Sequence, residues 1–355
     1  MPTLQNYVCL ILTYIECLKL CYCNLLEVSG ENSMREIEKV GVIGAGLMGH
    51  ALAIVHALGG CNVIMQDLKE SQIAKGLQLI DSALETLVDA GTITKSEEKD
   101  AKARIKTTLE LNTAVEDADL VVEAVVENRG VKTEVFQHID NAARKDVIIA
   151  SNTSNLDIFP LVPEARKSFC LIAHWYTPPY IIDLVDLAAG PDTDIDILQR
   201  METFYNKLGK KPVVFRKFIN GYVANRLQAA MGLEITRLLD EGWASADAID
   251  DSVKYGLALR MALMGSLMKA DFTGLDMMQR GMANMTYDPP IPKPQSDTLD
   301  ELISSGRQGV MSGGGYFDYG EMTPEELFRN RDKGLLMLKS QVSDIETMFP
   351  LTPKK

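Results

Sequence analysis

Residues 39–67 read KVGVIGAGLMGHALAIVHALGGCNVIMQD, and this stretch decides the fold. Lys39 to Ile43 is an apolar run of strand length. Gly44, Gly46 and Gly49 follow, with Leu47 and Met48 between them, and a helical pattern then runs to about Leu58. A second apolar run, Asn62 to Gln66, ends at Asp67. In a strand–turn–helix of this kind the first glycine allows a tight turn. The second lets backbone approach a pyrophosphate, and the third lets helix and strand pack closely. The helix start offers free N–H groups and a partial positive charge to the phosphates. A carboxylate after the second strand accepts hydrogen bonds from ribose hydroxyls and repels a 2′-phosphate, so Asp67 predicts NAD rather than NADP. The competing reading is a glycine turn that holds no nucleotide.

Downstream, the pattern alternates. Residues 69–112 read as a helical pair, in which Lys95, Lys99, Lys102, Arg104 and Lys106 form the nearest approach to a basic patch. Asp119 to Val126 reads as a buried strand followed by Glu127 and Asn128. Val147 to Ala150 is another, leading into Ser151-Asn152-Thr153-Ser154. Strands alternating with helices predict an α/β fold with a doubly wound parallel sheet. Ligands in such sheets bind beyond the carboxyl ends of the strands, where Glu127, Asn128 and Ser154 fall. Ser154 is equally suited to capping a helix.

Upstream, residues 7–26 are apolar, but Glu16 and Lys19 interrupt them and no Lys or Arg precedes Tyr7. That weakens both a secretory signal and a spanning helix. Met34 is the expected start, with residues 1–33 as an extension. Four of the six cysteines (Cys9, Cys17, Cys21 and Cys23) lie in this extension, and the body keeps only Cys61 and Cys170. No disulfide framework or spaced metal site results, which suits a reducing cytoplasm. The formal net charge of −13 argues against nucleic acid and anionic membranes as partners, because phosphate binding needs basic surface. A small-molecule substrate is the expectation, and an anionic one needs a local basic patch.

The chemistry centres on one histidine. His174 ends the apolar stretch Phe169 to Ala173 and precedes Trp175-Tyr176-Thr177-Pro178-Pro179. Oxidation of a secondary alcohol needs a base near the hydroxyl, and imidazole titrates in the right range. A carboxylate on the other ring nitrogen would stabilise the imidazolium. Asp183 and Asp186 lie just downstream, and a hairpin around the Pro-Pro turn would bring Asp186 beside the ring. From the residues alone, His174 is either this base or a satisfied structural histidine. His50, His56 and His138 read as surface or packing residues.

These motifs, in this order, resemble the 3-hydroxyacyl-CoA dehydrogenase family, which includes 3-hydroxybutyryl-CoA dehydrogenases and relatives acting on free acids such as L-gulonate and carnitine. The matching runs are GVIGAGLMGHALA, DLVVEAVVEN, SNTSNL, AHWYTPPYIIDLVDL, NGYVANRLQAA, ADFTGLDMM and SGGGYFDY. The resemblance implies His174 as catalytic base, Asp186 as its carboxylate partner, and Ser154 and Asn225 at the substrate oxygen. It places Glu127 and Lys132 at the nicotinamide side. It also implies a Rossmann domain, 34–217, followed by an all-α domain, 218–355, that dimerises. The implied activity is NAD-dependent oxidation of an L-3-hydroxyacyl-CoA, or the reverse, within fatty acid metabolism.

The second half supports the helical expectation independently. Val223, Leu227, Met231, Ile235 and Leu238 recur at helical spacing, Gly242 can end that helix and Ser245 can cap the next. Met261, Met264, Met268, Met277 and Met278 read as adaptable core, or as a face buried between protomers. Three departures from the family stand out. Thr177 replaces an asparagine, Asp186 replaces a glutamate, and Gly265-Ser266-Leu267 replaces a proline-containing run. An aspartate reaches the imidazole if the backbone moves closer by about 1.5 Å, one carbon–carbon bond. Thr177 lacks an amide that both donates and accepts. The alternatives are therefore a dehydrogenase of small free 3-hydroxy acids and a non-catalytic NAD-binding descendant.

Overall fold

The computed structural model describes residues 35–285 and 287–346. Residues 1–33 and the expected start at Met34 lie outside the described residues. From Glu38 onward the chain forms one compact unit. Its first part is an eight-stranded sheet in the order β3-β2-β1-β4-β5-β6-β7-β8. The strands are β1 (Lys39–Ile43), β2 (Asn62–Gln66), β3 (Ile105–Thr108), β4 (Leu120–Glu123), β5 (Ile148–Ser151), β6 (Cys170–Trp175), β7 (Leu184–Ala189) and β8 (Lys211–Phe215). All neighbours are parallel except β6 and β7, which form an antiparallel hairpin. Six strand ends therefore point the same way, and the order reverses between β1 and β4, where a doubly wound sheet opens its ligand crevice.

The central strands are continuous apolar runs because both faces are covered. Helix α1 (Gly49–Leu58) is buried from Gly49 to Ala57. It is overlaid by α2 (Glu70–Asp89) and α3 (Lys95–Arg104). The opposite face carries α4 (Leu111–Val115) and α5 (Arg129–Ala142), whose Val115, Phe136 and Ile139 pack with Val121, Ile149 and Ile172 of the sheet. Each fully buried side chain of this size contributes about 1.5–3 kcal/mol by leaving water. Helix α6 (Ile195–Lys207) joins the α1 side, where His56, Trp175 and Tyr205 pack edge-on. Burial pulls the His56 imidazole down to about 4, against the hydrogen bond to the Leu52 carbonyl. It is a neutral packing residue.

Two expectations need correction. Residues 69–112 are not all helical, because Ile105–Thr108 pairs with β2 as the edge strand β3. Its β-branched residues favour the pleated surface once α3 has ended. The strand expected over 119–126 covers only Leu120–Glu123, and the chain then leaves the sheet.

After β8 the chain is helical: α7 (Ala224–Asp240), α8 (Ala246–Asp251), α9 (Leu259–Thr273), α10 (Leu275–Ala283), α11 (Asp297–Ser304) and α12 (Pro324–Glu346). Gly242 has positive φ and follows the end of α7, and Ser245 caps α8 by accepting from the Ala248 N–H. A π-helical stretch, Ser252–Ala258, precedes α9, and Gly265 breaks the helical φ/ψ inside it. Helices α7, α9, α10 and α11 bury no residue in the single chain. Leu227, Met261, Met277 and Met278 lie on its surface, so the core reading of these methionines fails within one protomer.

Helix α12 returns to the sheet domain. Tyr180 donates to Asp332 at 3.0 Å, and Lys339 donates to the Ile181 carbonyl and to Asp183. Lys210, just before β8, also donates to the Pro179 carbonyl and to Asp183. The turn between β6 and β7, which contains a cis Thr177–Pro178 peptide, is thereby held by both the last helix and the residue before β8. No helix among the described residues is long and apolar enough to cross a membrane.

Candidate active site

At the end of β1 the glycine loop has the shape a pyrophosphate needs. A Cβ on Gly49 would overlap the Gly44 carbonyl oxygen, so only glycine lets α1 start against the loop. A Cβ on Gly46 would meet nothing within 4 Å, which leaves the loop open on the side facing the crevice. Helix α1 has no side-chain cap at Met48 and no acidic residue in its first turn. Its N–H groups and partial positive charge are thus available to an anion. Gly44 donates to the Gln66 carbonyl at 2.7 Å, tying the loop to β2. Exposed Leu47, Leu68 and Val126 surround these strand ends as apolar surface suited to cofactor rings. The residues fit NAD.

Asp67 has a second task that its position in the sequence does not reveal. Its carboxylate accepts from the Ala45 N–H at 3.0 Å and from the Lys69 N–H at 3.1 Å. It therefore shapes the loop. Replacing Asp67 with alanine is expected to raise KM for NADH and to shrink NADH/NADPH discrimination at least tenfold, about 1.4 kcal/mol. Steady-state kcat/KM with both cofactors checks this, and an unchanged ratio would remove Asp67 from cofactor selection.

Beneath the ends of β4 and β5 lies a buried charge network. Glu123 is fully buried and accepts from Lys132 Nζ at 2.7 and 2.9 Å, from the Ser151 hydroxyl at 2.5 Å and from the Val125 N–H at 2.9 Å. Lys132, 1% exposed, also reaches Glu127 at 3.3 Å. Glu127 Oε1 accepts from the Thr153 hydroxyl and from the N–H groups of Ser154, Asn155 and Leu156. Burial pushes the Glu127 carboxyl up. The Asn155 N–H, the Thr153 hydroxyl, Lys132 and the Ser154 N–H outweigh it and hold the group below the usual carboxylate range. Lys132 thus lies under the site rather than on its surface. It anchors Glu127, and Glu127 folds the loop that presents Ser154.

The β6–β7 hairpin positions the candidate base, His174. His174 and Asp186 are Cα partners across the antiparallel pair, so their side chains share a face. His174 Nδ1 lies 3.3 Å from Asp186 Oδ2, and both residues are buried. Tyr222 stacks on the imidazole at 4.5 Å between centroids and 20°, and Tyr176 meets it edge-on at 4.7 Å. The Tyr222 hydroxyl donates to the Thr153 carbonyl at 2.7 Å, next to Ser154. Tyr222 has φ 47°, an unfavourable value for a non-glycine residue, held by that bond and that stack. Asn225, half-buried in the first turn of α7, follows three residues later. His174, Asp186, the Ser154 loop and the start of α7 are therefore drawn together through Tyr222. Thr177 turns toward the glycine loop, its hydroxyl 3.3 Å from Met48 Sδ.

Sequence reasoning missed Glu123, Ser151, Tyr176 and Tyr222. Glu123 carried a readable signal: a lone carboxylate ending an apolar strand demands a buried partner. Tyr176 and Tyr222 carried none beyond being aromatic. Lys102, part of the expected basic patch, is paired with Asp81 and Glu98, and Lys95 with Glu98.

Residues 39–218 match the family described as 3-hydroxyacyl-CoA dehydrogenase, NAD binding domain, and residues 221–319 match its C-terminal domain. The chain is 32% identical over 289 residues to a probable 3-hydroxybutyryl-CoA dehydrogenase of Deinococcus radiodurans, covering 79% of this chain and 100% of that one. It is 30% identical over 314 residues to an L-carnitine dehydrogenase of Oceanobacillus iheyensis, covering 87% and 99%. Among solved structures, it is similar to 5-formyl-3-hydroxy-2-methylpyridine 4-carboxylic acid 5-dehydrogenase, an NAD+-dependent dismutase. There the TM-score is 0.78 at 27% identity, with 87% of this chain and 99% of that one covered.

Proposed function

Because the chain belongs to the 3-hydroxyacyl-CoA dehydrogenase family, an NAD-dependent oxidoreductase family acting on CH–OH, we propose that it interconverts an L-3-hydroxyacyl thioester and its 3-keto form. The observation that carries this reading is the His174–Asp186 pair at the strand ends beside the glycine loop. With Nδ1 turned to Asp186, Nε2 is the ring nitrogen that meets the 3-hydroxyl. His174 takes the hydroxyl proton, and Asp186 stabilises the imidazolium that forms. Ser154 and Asn225 hold the substrate oxygen, donating to it as it becomes a carbonyl. NAD, when bound, supplies the hydride acceptor. Glu127 acts on the nicotinamide side by fixing the Ser154 loop, and Lys132 acts through Glu127.

The sheet domain, 34–217, holds the cofactor, and the helical domain, 218–355, completes the site and joins two copies into a homodimer. Support for the dimer comes from α7, α9, α10 and α11, which bury no side chain in one copy. The two free, buried cysteines Cys61 and Cys170 suit a cytoplasmic setting.

A second reading, a small free 3-hydroxy acid as substrate, has its own support. Lys95 and Lys102 of α3 are engaged by acids instead of forming a clamp for a phosphate, and a relative is named for carnitine. NADH oxidation with acetoacetyl-CoA, run beside free 3-keto acids at equal concentration, decides between them. A thioester preference above about tenfold in kcat/KM, about 1.4 kcal/mol of transition-state binding, is the expected result. Turnover of free acids alone would replace it with the second reading. Tight NADH binding without turnover of any 3-keto compound would leave a non-catalytic NAD-binding protein.

A further inference from the structure

Two donors converge on one oxygen of Asp186. The Tyr176 hydroxyl donates to Oδ2 at 2.7 Å, while His174 Nδ1 lies 3.3 Å from the same atom. Charge-assisted N–H···O bonds run at about 2.7–2.9 Å, so the tyrosine bond is the tight one. The strand geometry explains the convergence. Residues 174 and 176 are two apart and share a face, and Asp186 lies opposite His174 in the register. A free aspartate has two side-chain torsions with which to turn away from the ring, and a carboxylate one carbon shorter than glutamate has less reach to spare. Here the phenol fixes it. Burial and the neighbouring Asp186 push the Tyr176 phenol well above its ordinary range, so it stays a donor, while the Asn225 N–H, directed at the same oxygen, opposes the rise.

We propose that Tyr176 is a positioning residue: its hydroxyl holds the Asp186 carboxylate in register with His174 and makes good the missing methylene. The inference rests on His174 being the base, and it assigns Tyr176 no contact with substrate. Tyr176→Phe keeps the edge-on ring and removes only the hydroxyl. In this variant kcat should fall about 10- to 30-fold, since small misplacements of catalytic groups reach about 10²-fold. KM for NADH should stay within about twofold. In an Asp186→Glu background the same change should cost less than about threefold, because the longer carboxylate reaches the ring without the tether. Equal losses in both backgrounds, or no loss in either, would overturn the proposal.

A second measurement needs no substrate. Proton–nitrogen NMR of the His174 ring should show the Nδ1-protonated tautomer in the unsubstituted protein and a tautomer mixture in Tyr176→Phe. The same tautomer in both would overturn the tether whether or not the chain turns over a 3-keto compound. The expected tautomer change in a chain without turnover would support the tether and remove only the dehydrogenase reading.

Discussion

The His174→Gln variant is expected to lose turnover by about 10²–10⁴-fold, the range that general-base catalysis supplies. Glutamine is close to histidine in size, and its amide can still face Asp186. The buried space between Tyr222 and Tyr176 stays filled, and the hairpin register is set by backbone bonds. What disappears is a group able to accept a proton. Binding of NADH, proposed to depend on the glycine loop and Asp67, should be nearly unchanged. The expected pattern is thus a collapsed kcat with intact NADH affinity, measured by stopped-flow reduction of acetoacetyl-CoA beside fluorescence titration of NADH. Turnover within threefold of the unsubstituted protein, with an intact fold, would show that the proton leaves by another route.

Lys132→Met should have the largest effect on stability, about 3–5 kcal/mol, the usual cost of stripping one partner from a buried ion pair. Glu123 would keep the Ser151 hydroxyl and the Val125 N–H but lose its only bonded cation among the described residues. A buried, uncompensated carboxylate takes up a proton or draws water into the sheet. Glu127 would lose its lysine as well, so the Ser154 loop should loosen and activity should fall together with stability. The double variant Glu123→Gln/Lys132→Met removes both charges and should recover more than half of the loss. Urea unfolding of the three proteins checks this. If the single variant is destabilised by less than about 1 kcal/mol, the pair is not the keystone of this sheet end.

The sheet half was legible because its signals are local. The apolar runs Lys39–Ile43 and Asn62–Gln66 and the glycine spacing coincide with β1, β2 and the loop between them. The pairing of His174 with Asp186 was legible as one that a hairpin around the Pro-Pro turn could make, and the resemblance implied it; the antiparallel register of β6 and β7 brings the two residues opposite each other. Strand β3 was hidden among charged residues, and its pairing with β2 decides its state. The Glu123–Lys132 bond depended on knowing that a strand end and a helix turn nine residues later meet beneath the loop. Tyr176 reads as one more aromatic residue until the register places its hydroxyl on Asp186. The methionine-rich helices read equally as core or as a face between protomers, because helical spacing of apolar residues is the same in either case; in the single chain Met261, Met277 and Met278 are exposed.

The return of helix α12 to the turn at Pro179–Asp183 has a mechanical consequence. A domain joined to its neighbour through a single covalent crossing swings like a door. The helical region is instead moored at both extremities, by the covalent crossing after Phe215 and by the polar bonds of Asp332 and Lys339. A body moored twice can roll about the line through its moorings but cannot gape. The second mooring ends on the same turn that joins the strand of His174 to the strand of Asp186.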